Sequence, residues 1–168
     1  MDIDAKIVEL LTDICEDIAT NMEVTKSNAS GRTVRSLEIQ QEPNRGRIVG
    51  RPFFRGVEEG RPSGAVPDNF QSIIKKWIID KRNRYGFNLR IVPYKTDRPH
   101  KYTEEERSMN MAAGAIAAAI KKNGTKLYRD GGRIDIYTVA INENLAKFEA
   151  DLQGVAEAEI KEDLRKIK

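Results

Sequence analysis

At 168 residues, with 39% hydrophobic and 33% charged residues, the chain has the length of one ordinary domain with a single core. It is too apolar for full disorder and too polar for a membrane-embedded protein. The net charge of +3 is modest. No run approaches the ~18 apolar residues that span a bilayer. The start, MDIDAKIVEL, is acidic and amphipathic, unlike a secretory signal. The expectation is a protein made in a cytoplasm, with no membrane partner. A single cysteine, Cys15, excludes an internal disulfide and reads as a small filler residue. The single histidine, His100, lies in a polar loop and cannot supply the clustered His or Cys ligands of a zinc site. No cofactor is expected.

The charge distribution is more informative than its sum. Residues 1–24 hold seven acidic residues and one basic, and residues 71–101 hold nine basic and two acidic. Such polarity suits head-to-tail packing of identical subunits or contact with a polyanion, or else two solvated faces.

In chain order, Ile3, Ile7, Leu10, Leu11, Ile14, Ile18 and Met22 recur at spacings of three and four and predict a helix over 3–22, capped by Asp2 or Asp4. TKSNASGR is a loop ending at Gly31. TVRSLEIQQ, residues 33–41, reads as a strand, Pro43-Asn44-Arg45-Gly46 as a turn, and residues 47–51 as the partner strand. Two strands are too little sheet to stand alone, so helices must cover the hairpin. Phe53 to Glu59 read as a helical turn. The stretch from Gly60 to Asp68 is broken by Gly60, Pro62, Gly64 and Pro67. A helix from about Asp68 to Arg82 takes Phe70, Ile73, Ile74, Trp77 and Ile78 as its buried face. Residues 83–102 form a long polar connection. Thr103 and Glu106 make a capping box for a helix that stops at Gly124. Its small residues Ala112, Ala113 and Ala119 permit close helix approach. Residues 125–140 read as irregular, with IDIYTV (134–139) a possible short strand. Ile141, Leu145, Phe148, Leu152, Val155, Ile160, Leu164 and Ile167 form a seam near period 3.5, broken at Glu159, which either covers the domain or packs on a neighbouring subunit. The fold class is thus α+β: an N-terminal helix, a small β-hairpin or short antiparallel sheet packed by helices, and a long C-terminal helix. The organisation expected is a domain over 1–140 and a C-terminal helical extension over 141–168.

The Gly-rich stretches match neither phosphate-binding loop. Glu58 and Glu59 are adjacent carboxylates without a third ligand and read as a solvated pair; Glu104, Glu105 and Glu106 complement a helix dipole. No enzyme is expected from these residues. The basic segment interleaves Trp77, Tyr85, Phe87 and Tyr94 with positive charge, a pattern able to bind single-stranded nucleic acid. Trp77 is better read as core. Arg82, Arg84, Arg90 and Lys95 remain as contacts to DNA or to an acidic partner surface.

One ordered set of motifs stands out: Ser30-Gly31-Arg32-x-x-Arg35-Ser36-Leu37, then Phe54-x-x-Val57-Glu58-x-Gly60-Arg61-Pro62-Ser63-Gly64 with Pro67, then Ile73/Ile74-x-x-Trp77-Ile78, and finally Ile120-x-x-x-Gly124-Thr125. Over roughly residues 5–130 this resembles the neck and tail-completion (head–tail joining) proteins of tailed bacteriophages. The proline spacing after Gly64 and the longer, more basic stretch after Trp77 depart from the family pattern. The resemblance implies a homo-oligomeric ring in the virion neck, made in the host bacterial cytoplasm, that joins portal to tail proteins and lines or seals the DNA channel. It also implies nonspecific contact with genomic DNA at most, and no catalysis. The loop residues Gly60, Arg61, Pro62, Gly64 and Pro67 become structural, and Glu9, Asp13 and Glu16 become candidates for a subunit interface. The alternative is a cytoplasmic nucleic-acid-binding protein that uses the basic region.

Overall fold

The computed structural model describes residues 2–96 and 98–166, with the backbone alone at 159, 163, 164 and 166. The seam positions Glu159, Leu164 and Ile167 therefore fall outside the described side chains. The fold is mixed α+β: six helices and one two-stranded antiparallel sheet among the described residues.

Helix α1 spans Ile3–Val24. The Asp2 carboxylate accepts hydrogen bonds from the Asp4 and Ala5 amides at 3.1 and 3.2 Å, satisfying donors left open in the first turn. Ile14, Ile18 and Met22 are buried, as the three-and-four spacing requires. The next segment departs from the expected strand over 33–41. Val34–Ser36 is a short 3-10 turn. Gly31 turns the chain at φ 69°, and the Ser36 hydroxyl donates to the Thr33 carbonyl at 2.7 Å, a local bond that competes with strand pairing. Strand β1 (Glu38–Glu42) then pairs with β2 (Arg45–Val49), Glu42 opposite Arg45. The connecting pair is Pro43-Asn44, with Asn44 at φ 58°, where Asn is better tolerated than most residues. The hairpin lies on α1. A Cβ at Gly46 would stand 2.5 Å from Leu11 Cδ1 and 2.9 Å from Ile7 Cγ2, so glycine lets the strand approach the helix.

After the short helix α2 (Gly56–Glu59) the chain crosses to α3 (Phe70–Tyr85), which ends at Gly86 with φ 68°. Its buried side chains are Phe70, Ile74 and Ile78. Ile73 and Trp77, expected in that face, are 46% and 38% exposed. The partner helix α4 (Glu104–Asn123) covers only one side of α3, and residues 73 and 77 fall beside it. The Thr103–Glu106 capping box is present, and α4 stops at Gly124 with φ 74°. Close α3–α4 contact is marked by Ala113, fully buried, and by the Gln71 amide donating to the Asn110 carbonyl at 3.1 Å.

The segment 125–140 contains no strand. Helix α5 spans Lys126–Arg129, and α6 starts at Tyr137 and runs unbroken to Lys166. The expected domain boundary between 140 and 141 therefore lies inside a helix. Helix α6 packs antiparallel on α1. Asn21 donates to the Ile136 carbonyl at 3.0 Å, and Asn144 donates to Asp17 at 2.6 Å. Ala140 and Asn144 are buried there, whereas the seam residues Ile141 and Leu145 are 37% and 40% exposed.

The single core expected from length is replaced by two. One gathers Ile14, Ile18, Met22, Ile136 and Ala140, flanked by Leu37, Ile48, Phe54 and Tyr137. The other gathers Phe70, Ile74, Ile78, Met109 and Ala113. No described helix is long and apolar enough to cross a membrane.

Candidate functional site

Two places gather the residues singled out by sequence. The first is the Gly-Pro loop between the two cores. Gly60 adopts φ 74°, and a Cβ there would lie 2.5 Å from the Tyr128 amide nitrogen and 2.6 Å from the Thr125 hydroxyl. The Arg61 amide donates to Thr125 Oγ1 at 2.9 Å, and the Thr125 amide donates back to the Arg61 carbonyl at 2.9 Å. The Gly64 amide donates to the Lys121 carbonyl at 3.0 Å, capping the end of α4. Across the junction a Cβ on Gly124 would meet the Arg61 carbonyl at 2.7 Å. The Arg61 guanidinium donates to the Ala65 carbonyl at 2.7 Å and lies 5.0 Å from the centre of the Phe70 ring, a cation–π distance. Pro62 and Pro67 are exposed. The Pro67 carbonyl accepts from the Phe70 amide at 2.9 Å and so starts α3. Gly64 has open space around its Cβ position but a φ of 132°, so only its backbone calls for glycine.

The second place is the basic surface at the end of α3 and beyond. Arg82 pairs with Glu105 and Arg84 with Glu23, the latter at 2.6 Å. The acids that satisfy them lie on α4 and α1 of the same chain. Tyr85 donates to Glu23 at 3.0 Å, and Asn28 donates to it at 2.6 Å. Burial pushes the Glu23 carboxyl up, but these donors together with Arg84 outweigh it and leave its pKa below the usual carboxylate value. Burial lowers the pKa of Lys81, whose ammonium donates to the Lys26 carbonyl at 2.7 Å. Arg90 and Lys95 are exposed and form no ion pair among the described residues. Tyr94 is already engaged. Its ring stacks on His100 at 3.4 Å, the Arg107 guanidinium lies 4.7 Å from its centre, and its hydroxyl donates to the Tyr102 carbonyl. Trp77 and Phe87, at 6.2 Å between ring centres, are 38% and 36% exposed.

On α1, Glu9 pairs with Lys6 at 2.7 Å, while Asp13 and Glu16 are exposed. Within the chain, Arg82 and Arg84 pair with Glu105 and Glu23.

Glu58 was expected to be solvated like its neighbour, and this is corrected. It is 2% exposed. Its Oε1 accepts from the amides of Ile136, Tyr137 and Thr138 at 2.8, 2.6 and 2.9 Å, and its Oε2 accepts from the Thr138 hydroxyl at 2.5 Å. One carboxylate thus closes the N-terminus of α6 from 78–80 residues away, where a negative charge also meets the positive end of the helix dipole. Glu59 stays exposed and pairs with Arg55. The only sequence signal for this role is that α6 lacks a capping residue of its own.

No protein-family model, curated protein or solved structure matches this chain.

Proposed function

We propose that this chain is a structural subunit of the neck of a tailed bacteriophage, a ring protein that joins portal to tail around the DNA channel, and that it carries out no catalysis. The observation that carries the reading is the Gly60–Thr125 junction. The motif pieces on which the resemblance rests, Gly60-Arg61-Pro62-Ser63-Gly64 and Gly124-Thr125, are 60 residues apart in sequence. They meet in reciprocal backbone and hydroxyl hydrogen bonds, with glycine demanded on both sides. An ordered motif set whose members form one physical junction is better explained by a shared architecture than by chance similarity of loops.

A ring needs two different complementary faces on each subunit. The layer of α1 and α6 is the acidic side and α3 with its following connection is the basic side. In this reading Arg90 and Lys95 serve protein contacts or loose, salt-sensitive DNA contacts. Electron microscopy of purified particles, with the protein located by a fused label, is the test. The expected image is a closed ring between portal and tail. Copies scattered over the capsid or free inside it would overturn the reading. A nucleic-acid-binding protein would instead hold DNA as an isolated monomer, with affinity falling steeply with salt.

A further inference from the structure

Among the described residues, α3 and α6 each leave an apolar stripe uncovered, and the two stripes carry opposite charges at their edges. On α3, Ile73 and Trp77 are one turn apart on the flank that α4 does not cover, 46% and 38% exposed. Phe87 extends this stripe by its ring contact with Trp77. Lys76 is exposed at its outer edge, and the Lys81 ammonium lies 5.5 Å from the Trp77 ring. On α6, Ile141 and Leu145 are likewise one turn apart, 37% and 40% exposed. At 100° per residue they lie about 60–100° round the helix from Asn144, the residue that faces α1. Leu152, half-buried, continues that flank, and Glu149 is exposed at its outer edge. Residues 142–158 hold four acidic residues and one basic, opposite in sign to the surroundings of Trp77.

Within one chain the two stripes do not satisfy each other. Helix α6 spends its buried face on α1, and α3 spends its own on α4. Each stripe presents two large apolar side chains at one-turn spacing, the unit by which two helices interlock. An aromatic anchor beside aliphatic side chains, edged by charge, is the composition of a binding hot spot.

We propose that the Ile73–Trp77–Phe87 stripe of one subunit receives the Ile141–Leu145 flank of α6 from a second copy of this chain, with Lys76 facing Glu149 across the contact. The pairing joins two different surfaces, so it leaves one unused stripe of each kind on every dimer and continues head to tail, closing as a ring where the rotation between subunits brings the ends together. It rests on the ring reading above and names the surfaces that make the ring. The main contact is then an apolar helix–helix contact that charge only orients. Arg82 and Arg84 are held by Glu105 and Glu23 of their own chain.

The sequence has one tryptophan, so Trp77 reports on its own surface. The full-length wild type, Trp77→Ala and Leu145→Glu are compared by sedimentation velocity over rising concentration, with acrylamide quenching and emission wavelength recorded in parallel. Circular dichroism checks that both variants keep the wild-type helix content, as substitutions at exposed positions should. The wild type should self-associate with a blue-shifted Trp77 and quenching reduced at least about twofold, as desolvation of an interface anchor requires. Each variant alone should stay monomeric. Mixed, they should form a single heterodimer, because Trp77→Ala keeps an intact α6 flank and Leu145→Glu keeps an intact tryptophan stripe; only the latter's Trp77 fluoresces, and it should become shielded. Wild-type association with Trp77 as accessible as in Leu145→Glu would overturn this contact and leave the ring reading standing. Heterodimers in the mixture beside a wild type that stops at dimers would uphold the contact and overturn the ring. A wild type that is monomeric throughout would overturn this contact; the ring reading falls only if the particles carry no closed ring of this protein between portal and tail.

Discussion

The two cores of this molecule are built in opposite ways. The α1–α6–hairpin region buries large aliphatic residues, Met22 and Ile136 among them at 0% exposure. It is then locked by polar groups that act at long range: Glu58 on the start of α6, Asn21 on Ile136 and Asn144 on Asp17. The α3–α4 region is a two-helix sandwich with Ile78 and Ala113 fully buried between the helices. It lacks a third layer, so Ile73 and Trp77 face outward. A helix pair covered on one side leaves part of its apolar surface uncovered, as Ile73 and Trp77 show. The better-enclosed region is therefore expected to set stability and the open one, under the proposal above, to set assembly.

The largest break in that comparison should come from Glu58→Ala. It would strip three amides and a hydroxyl of their acceptor in a buried place. Unsatisfied buried donors cost about 1–3 kcal/mol each before relaxation, so a loss of about 3 kcal/mol or more is expected in urea unfolding. A loss under about 1 kcal/mol would mean that the α6 start is held mainly by packing.

Next in size is Ile78→Ala, expected to cost about 2–4 kcal/mol as a cavity in the second core. Hydrogen exchange should quicken in α3 and α4 well before α1 and α6. Uniform quickening through all four helices would show that the two cores melt as one.

Gly60→Val should cost about 2–4 kcal/mol, because the new side chain meets the Tyr128 amide and the Thr125 hydroxyl at a positive φ. Ser63→Ala, three residues on and exposed, should stay within about 0.5 kcal/mol. Equal thermal melting of the two variants would reduce the loop to a linker.

The smallest effect concerns Glu23, where the two regions touch. Its pKa is lower in the folded protein than in the unfolded chain. The stabilisation it gives is therefore complete above its unfolded pKa and is lost as pH falls through the folded one. Because Glu23 is about two-fifths exposed, solvent screening limits the effect to about 1 kcal/mol at most. Glu23→Gln should unfold slightly earlier than wild type at neutral pH, with the gap closing as acid protonates the wild-type carboxyl. A gap that persists unchanged in acid would point to packing of Tyr85 and Asn28 instead of charge.

Local chemistry was enough to determine much of this protein. The three-and-four spacing from Ile3 to Met22 made α1. Thr103 with Glu106 and the closing Gly124 bounded α4, and Pro43-Asn44 turned the hairpin. The reason is range: a helix cap or a two-residue turn is satisfied by groups within four residues, all visible in the sequence. The Gly60–Gly64 and Gly124-Thr125 motifs were also visible, though not that they touch. Tertiary structure alone decided the rest. Segment 134–139 alternates like a strand, yet Glu58 reaches its amides from another part of the chain and starts α6 at Tyr137. Trp77 fits the apolar stripe of α3, but a stripe shows only which residues are apolar. Burial depends on how wide a partner lies opposite, and α4 is one helix wide. Arg82 and Arg84 read as free charge because Glu105 and Glu23 are 23 and 61 residues away along the chain. In each case the deciding group is distant in sequence and close in space, and only the packing of the two cores brings it there.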